Sequence, residues 1–320
     1  MPASKRSLAT LSRATAIAAV ITQGGIAVTG SVVRVTGSGL GCPTWPQCFP
    51  GSLVPGRATQ PHPEVATLHQ WIEFGNRMLT GLVGLVALAC LVVALLVRPR
   101  RPRLVLLAAT MPLGVVAQAI LGGITVLTGL AWWTVAVHFL VSMVLVWLAV
   151  LLVAAFAEGD DPPRWHLPAP LRGLLRTAVT VLAALLVAGT LVTSAGPHAG
   201  STATPRLAIG VPALAQLHAD LLVGFLGLLV GLGFVLRAVG APARIWRRFT
   251  VLVCVVFAQG TIGVVQYLTG VPEVLVSLHV LGAASVVVAM AALWTSCRAR
   301  DYETAVSVGT ARPLASAGTT

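Results

Sequence analysis

Long apolar stretches alternate with short polar segments along the whole chain. Each stretch has about the 20 residues that a helix needs to cross the hydrocarbon core of a bilayer. The first stretch is long enough to be a retained span rather than a cleaved signal peptide. The pattern predicts eight transmembrane helices, at about 14–35, 72–97, 104–128, 133–155, 173–195, 212–237, 249–268 and 273–295.

Composition agrees with this pattern. Hydrophobic residues make up 57% of the 320 residues and charged residues only 9%, whereas soluble domains carry about 25% charged residues. The net charge of +12 comes mainly from arginines before the first span and after each even-numbered span. This is the positive-inside pattern. It predicts an all-α integral membrane protein of the cell membrane with both termini in the cytoplasm, in contact with lipid and not with nucleic acid.

The chain contains an internal repeat. The segment AQAILGGITVLTG (117–129) returns as AQGTIGVVQYLTG (258–270), and an offset of 142 residues carries Asn76 onto His218. The repeat predicts two tandem, pseudo-symmetric four-helix halves with the same orientation. We expect them to cover 1–157 and 173–297, with a cytoplasmic linker at 158–172 and a disordered cytoplasmic tail at 298–320.

Three histidines lie five or six residues inside the predicted outer ends of spans four, six and eight: His138, His218 and His279. His62, His166 and His198 fall in loops, where surface roles are expected. Facing imidazoles in a helical bundle can hold haem iron, although a single intramembrane histidine can also simply hydrogen-bond a neighbour. Zinc would need four close ligands, and Cys90, Cys254 and Cys297 lie far from the histidine level.

Polar residues open the second span. Glu73, Asn76 and Arg77 are spaced i, i+3 and i+4, which places them near one helix face, and they align in the repeat with Ala215, His218 and Ala219. One interpretation is an ordinary interfacial helix start. The other is a reactive site with an acid in the first half and a holding or electron-transfer site with two histidines in the second. Asp220 has no assigned role.

The predicted first outer loop contains Cys42 and Cys48 in RVTGSGLGCPTWPQCFPGSLVP (34–55). On the oxidising side of a membrane a local disulfide is expected. The alternative is a thiol pair that exchanges electrons with a redox partner.

The loop motif TGSGLGCPTWPQC (36–48), the helix start EFGNR (73–77), the two halves and the histidines of the even spans together resemble the haem A synthase family, in an actinobacterial-like variant. The resemblance covers about 15–295. It implies oxidation of a methyl group of haem O, the substrate, to the formyl group of haem A for cytochrome c oxidase. It also implies partners in haem O synthase and oxidase assembly, and a possible homo-oligomer.

The resemblance assigns roles to individual residues. His218 and His279 would be axial ligands of a haem b cofactor in the second half, and His138 an axial ligand of haem O in the first. Glu73 would take part in the chemistry, with Arg77 pairing with Glu73 or a haem propionate. Cys42 and Cys48 match the family's redox-sensitive pair, while a second pair found in many members is absent from 194–210.

Asn76 departs from the family pattern, which has histidine at this position. One hypothesis is that His69, two turns earlier, replaces the missing ligand. The other is that His138 alone holds the haem while Asn76 hydrogen-bonds a water or oxygen species at the open iron position. Two other functions are also compatible with paired histidines: a di-haem b membrane electron carrier, and a haem transporter or chaperone. The sites are expected toward the extracytoplasmic side.

Overall fold

The computed structural model describes residues 2–55, 67–201 and 204–300, with the side chains of residues 2–7 left aside. His62 and most of the predicted tail, 301–320, therefore lie outside the described residues. Within the described chain eight long helices follow one another: α1 Pro2–Val35, α2 Thr67–Leu96, α3 Pro102–Leu127, α4 Trp132–Ala157, α5 Ala169–Ala195, α6 Val211–Ala238, α7 Ala243–Leu268 and α8 Glu273–Ser296. All eight are long and apolar enough to cross a membrane, which confirms the predicted fold class.

The helix ends follow local chemistry. Proline occupies the first turn of α3, α5 and α6, where a missing N–H costs no intrahelical hydrogen bond. The repeated Leu-Thr-Gly ends α3 and α7, with Gly129 and Gly270 at φ 64° and 79°, values that glycine adopts without steric cost. Helices α1 and α2 begin well before the apolar boundaries at 14 and 72, because helical geometry continues through the polar residues beside each span.

The two halves differ in how closely their helices pack. In the first half, α1 packs on α2, α2 on α3, α3 on α4 and α4 on α1, so that the bundle closes into a ring. In the second half, α5 packs along α6 and α7 along α8, while the two pairs touch each other little. The halves meet where α1 and α4 pack against α8, and α4 against α5. The second half therefore consists of two helix pairs with a cleft between them.

A short sheet joins the segment between the halves to the end of α8. Strand β1 (Arg164–Trp165) pairs antiparallel with β2 (Arg298–Ala299), and the Trp165 ring packs edge-on against Trp294 at 5.4 Å. The linker expected at 158–172 is thus shorter, because α5 begins at Ala169. The expectation of a disordered tail from 298 is wrong for its first residues, because β-pairing orders them.

Apolar cores occupy one end of both halves. In the first half the buried residues lie in the C-terminal parts of α2 and α4 and the N-terminal part of α3; in the second half the largest include Phe225, Leu175 and Leu252. The other end, which we call the disulfide end, is formed by the loops after α1, α3, α5 and α7. The polar groups discussed below lie toward the disulfide end.

Candidate functional site

A cavity of about 580 Å³ lies between the helices and is lined by residues of both halves. This volume is in the range of small-molecule and cofactor sites, about 300–1,000 Å³. Most of its wall is apolar. The polar side chains in the wall include the three predicted histidines, with Asn76, Gln118 and Gln259. The cavity therefore connects the regions that the sequence assigned to two separate sites.

His218 and His279 face each other across this cavity. Their ring centroids are 6.3 Å apart, with 60° between the ring planes. Two imidazoles on opposite sides of one metal ion, each with a metal–nitrogen bond of about 2 Å, put their ring centres roughly 6 Å apart. The spacing fits a bis-histidine haem. The structure thus brings together the two histidines that the sequence placed on α6 and α8.

Glycines make room for these imidazoles. A Cβ built at Gly189 would lie 3.1 Å from Cε1 of His218, and one built at Gly263 would lie 3.0 Å from Cε1 of His279. The Nδ1 atoms of His218 and His279 are buried and meet no hydrogen-bond partner among the described residues. A buried polar atom without a partner is costly. Nδ1 therefore does not hold either ring in place, whereas His218 also has a hydrogen bond to the backbone of Leu185.

The repeated motif of α3 and α7 positions the histidines of α4 and α8. Nε2 of Gln259 donates to the backbone carbonyl of His279 at 2.9 Å, and four residues later Gly263 faces the same imidazole. In the first half, Nε2 of Gln118 donates to the carbonyl of His138 at 3.0 Å. Residues at i and i+4 share one helix face. Each glutamine and the glycine four residues after it therefore contact the same histidine from the same side.

In the first half, an asparagine lines the cavity together with the histidine. Asn76 lines the cavity, and its Oδ1 accepts a 2.7 Å hydrogen bond from the hydroxyl of Thr29 on α1. A Cβ built at the neighbouring Gly30 would meet no atom within 4 Å. His138 has a buried Nδ1 without a partner in the described chain, like the histidines of the second half. Gly30 therefore has open space beside it, whereas Gly189 faces the ring of His218 at 3.1 Å.

Glu73 and Arg77 point to the loop after α1 rather than to the cavity, whose lining includes neither. Oε2 of Glu73 accepts a 2.7 Å hydrogen bond from the backbone N–H of Cys42. Arg77 donates to Oε1 of Glu73 at 2.6 Å, to the carbonyl of Cys42 at 2.7 Å and to that of Thr44 at 2.9 Å. We call this set of bonds the loop clamp. It satisfies a carboxylate that is only 5% exposed.

The loop clamp holds a disulfide between Cys42 and Cys48, which confirms the predicted bond. Both cysteines are buried, with Phe49 and Phe74 packed around them. His69 also belongs to this region: its Nδ1 lies 2.8 Å from the hydroxyl of Ser38, and it does not line the cavity. Of His69 and Asn76, the residues that distinguish the two hypotheses for the first half, only Asn76 lines the cavity.

The remaining sequence candidates lie outside this arrangement or at its edge. Asp220 is exposed and accepts a 2.7 Å hydrogen bond from Gln216. His198 was expected on the surface, yet it is partly buried in the cavity wall and bonded to the carbonyl of Val271 at 2.8 Å. The described residues contain no group of three histidine, cysteine or acidic side chains placed to hold a metal ion.

Sequence reasoning missed Gln118, Gln259 and the glycines that face the imidazoles. They were visible as the repeated AQ and G positions of 117–129 and 258–270. What the repeat could not show is which histidine each motif contacts, because that depends on how α3 and α7 pack on their neighbours.

Known proteins resemble this chain in sequence. Three curated relatives are named heme A synthase. The relative from Shouchella clausii is 30% identical over 144 residues, which are 45% of each chain. The relative from Lysinibacillus sphaericus is 35% identical over 147 residues, 46% of this chain and 45% of the relative, and that from Halalkalibacterium halodurans is 32% identical over 162 residues, 49% of each chain. The matched region spans about half the length of these relatives. A family model described as cytochrome oxidase assembly protein matches residues 13–207. The chain belongs to this family of cytochrome oxidase assembly proteins.

Proposed function

We propose that this protein is a haem A synthase, a membrane oxidoreductase that converts a methyl group of haem O to the formyl group of haem A through an alcohol. The observation that carries the proposal is the His218–His279 pair, 6.3 Å apart, in a cavity that also reaches His138. The names of the relatives support the same activity. The product would serve the assembly of cytochrome c oxidase.

The second half would hold a resident haem b. His218 and His279 would be its axial ligands, and Gln259 and Gly263 would fix the position of His279. The bound haem would supply one-electron redox chemistry. The cleft between the α5–α6 and α7–α8 pairs gives a flat macrocycle a way between the two imidazoles, and the glycines leave the rings in the orientation that the ligands need.

The first half would receive haem O. His138 would be its single protein ligand, positioned by the hydrogen bond from Gln118 to its carbonyl. Asn76, held by Thr29, would place its side-chain amide on the opposite side, where it could hydrogen-bond a water or oxygen species. The space beside Gly30 and the position of Asn76 in the cavity wall support this arrangement over one that uses His69.

Glu73 is the candidate acid for proton transfer during the oxidation. Its carboxylate is held in the loop clamp, so a direct role requires that the loop carrying Cys42 release it. The Glu73→Gln substitution separates a structural role in the loop clamp from a role in proton transfer. Glutamine still accepts a hydrogen bond from the Cys42 N–H, but it does not take up and release a proton as a carboxyl group does. Loss of activity with an intact disulfide in Glu73→Gln would support the catalytic role.

The arginine distribution supports cytoplasmic termini, with the disulfide end and the histidines toward the extracytoplasmic side of the cell membrane. A di-haem electron carrier would also explain the paired histidines, and a chaperone would explain the cavity. Neither gives a reason for the asymmetry between the Asn76–His138 and His218–His279 positions. That asymmetry is expected when one site holds a cofactor and the other turns over a substrate.

The test is the identity of haems extracted from cells that make haem O but no haem A, with and without this protein, by chromatography and mass. A formyl-bearing haem that appears only with the protein is the expected result. Unaltered haem O beside co-purified haem b, in a folded preparation, would refute the synthase and favour the carrier or chaperone.

A second experiment compares the two hypotheses for the first half. We expect His69→Ala to leave haem content and haem A formation unchanged, whereas His138→Ala abolishes haem A formation. Loss of bound haem in His69→Ala would show that His69, and not an open position beside Asn76, completes the site.

A further inference from the structure

Arg34, in the last turn of α1, is the one permanently charged side chain in the described cavity wall. An arginine at the end of a membrane span often extends to the interface. Arg34 instead lies beneath the loop after α5: a Cβ built at Gly200 would lie 3.7 Å from its Cγ. Gly200 is itself fixed there, since its carbonyl accepts a 3.0 Å hydrogen bond from the N–H of Gly39.

No negative charge among the described residues compensates Arg34. The described residues give it neither an ion pair nor a hydrogen bond, and no aspartate or glutamate lines the described cavity. The charged side chain that acts on it within the described chain is another cation, Arg206. Arg77, by contrast, has its own carboxylate in Glu73. A cation in an apolar cavity without a partner is costly, so this position is suited to an anionic ligand.

The position of Arg34 relative to Asn76 defines where that anion would lie. Thr29 touches Asn76 and so marks the level of the ligand-binding groups on α1. Arg34 follows five residues later, about 7 Å further along the helix toward the disulfide end. An anionic group at the rim of a flat macrocycle, whose centre lies at the level of Asn76 and His138, would meet Arg34 there.

The internal repeat shows that Arg34 belongs to the first half alone. GSVVRVTG (30–37) aligns with GTLVTSAG (189–196), with glycine at both ends of each segment. In this alignment Gly30 corresponds to Gly189, and Arg34 to Thr193. Thr193 also lines the cavity but carries no charge. The second half therefore lacks an equivalent of this cation.

We propose that Arg34 binds a carboxylate of the tetrapyrrole substrate and holds that edge of the macrocycle toward the disulfide end. The inference rests on the proposed function, because it takes haem O as the ligand of the first half. It assigns the substrate's orientation to one side chain. A macrocycle anchored at one edge presents the same methyl group to the reactive face in every turnover.

The experiment measures binding, not turnover. Purified protein is titrated with haem O and with its dimethyl ester, in which both carboxylates are capped, and absorbance is followed. Binding in the first half is taken as the part of the absorbance change that is lost in the His138→Ala variant. The variants are Arg34→Gln, Arg34→Lys and, as a matched control, Arg13→Gln, which removes an exposed arginine at the other end of the same helix.

We expect the unaltered protein and Arg13→Gln to bind the free acid about tenfold to a hundredfold more tightly than the ester, as a charge-assisted bond predicts. Arg34→Gln should bind both forms with the affinity of the ester, and Arg34→Lys should keep most of the preference. Unchanged ester binding in Arg34→Gln shows that the variant is folded.

Equal binding of acid and ester by the unaltered protein overturns the inference and leaves the proposed function standing. Failure of folded protein to bind either form overturns the proposed function itself.

Discussion

The two halves of this protein share one way of holding a histidine and differ in what surrounds it. In both, a glutamine donates to the histidine's backbone carbonyl and a glycine four residues later faces its ring. The first half is a closed ring of helices in which Asn76 and His138 line the cavity. The second is a pair of helix hairpins with His218 opposite His279.

Under the proposed function, this difference corresponds to two purposes of a duplicated scaffold. Two imidazoles that face each other at a fixed spacing are suited to a ligand that stays. One imidazole opposite a short amide, beside unfilled space at Gly30, is suited to a ligand that enters, reacts and leaves. The loop clamp adds to the contrast, because the second half has Ala215 and Ala219 where the first has Glu73 and Arg77.

The largest expected effect comes from removing one histidine from each half. His279→Ala should lower the resident haem content by more than about tenfold. A tenfold loss of affinity corresponds to roughly 1.4 kcal/mol of binding free energy, and an iron–imidazole bond contributes more than that. His138→Ala should leave the resident haem in place and remove only haem O binding. Haem content per protein, measured on extracted haem, checks both. Equal losses in the two variants would contradict the division into a holding site and a substrate site. His166→Ala, in the segment between the halves, is the control.

A smaller effect is expected from breaking the loop clamp. Glu73→Ala leaves a largely buried Arg77 without its partner, and removing one member of such a pair costs about 3 kcal/mol. Asp220→Ala, which breaks the exposed bond from Gln216 one turn away, should cost no more than about 0.5 kcal/mol. The midpoint of thermal unfolding in detergent, measured at one fixed scan rate, compares the stability of the two variants. Similar midpoints would mean that the clamp contributes little to stability.

The smallest effect concerns the glycines that face the imidazoles. Gly263→Ala places a methyl group 3.0 Å from the ring of His279, so the ring must shift and haem affinity should fall by about tenfold, the size of effects from residues that orient a ligand. Gly122→Ala is the matched control, because its Cβ would lie 3.5 Å from His138, an ordinary contact. Haem titration followed by absorbance measures both. Equal haem affinity in the two variants would show that the 0.5 Å difference between the two Cβ–imidazole distances does not affect haem binding.

Much of this architecture could be predicted from the sequence. Span length and apolarity are local properties, so the number of helices followed from them directly. The disulfide followed from two nearby cysteines in a loop expected on the oxidising side. The pairing of His218 with His279 followed from their equal depth on two helices of one half.

What the sequence did not reveal depends on contacts between helices and loops. Glu73 and Asn76 share a helix face by spacing alone, yet Glu73 meets the loop at Cys42 while Asn76 meets Thr29 and the cavity. The path of an irregular loop has no period in the sequence, so the loop clamp could not be anticipated. The environment of Arg34 could not be predicted for the same reason, because nothing near it in sequence shows that Gly200 lies against it.

The packing of α1 against α8 has a consequence for how the molecule is made. Helix α1 is translated before α8, one of its neighbours in the fold, and some 240 residues are translated in between. At about 5–20 residues per second, α1 waits roughly 10 to 50 s in the bilayer before that neighbour arrives. Throughout this interval its polar residues, Gln23 and Arg34 among them, lack the wall that finally encloses them. A membrane insertase or an early-bound ligand that shields this helix would therefore raise the yield of finished protein.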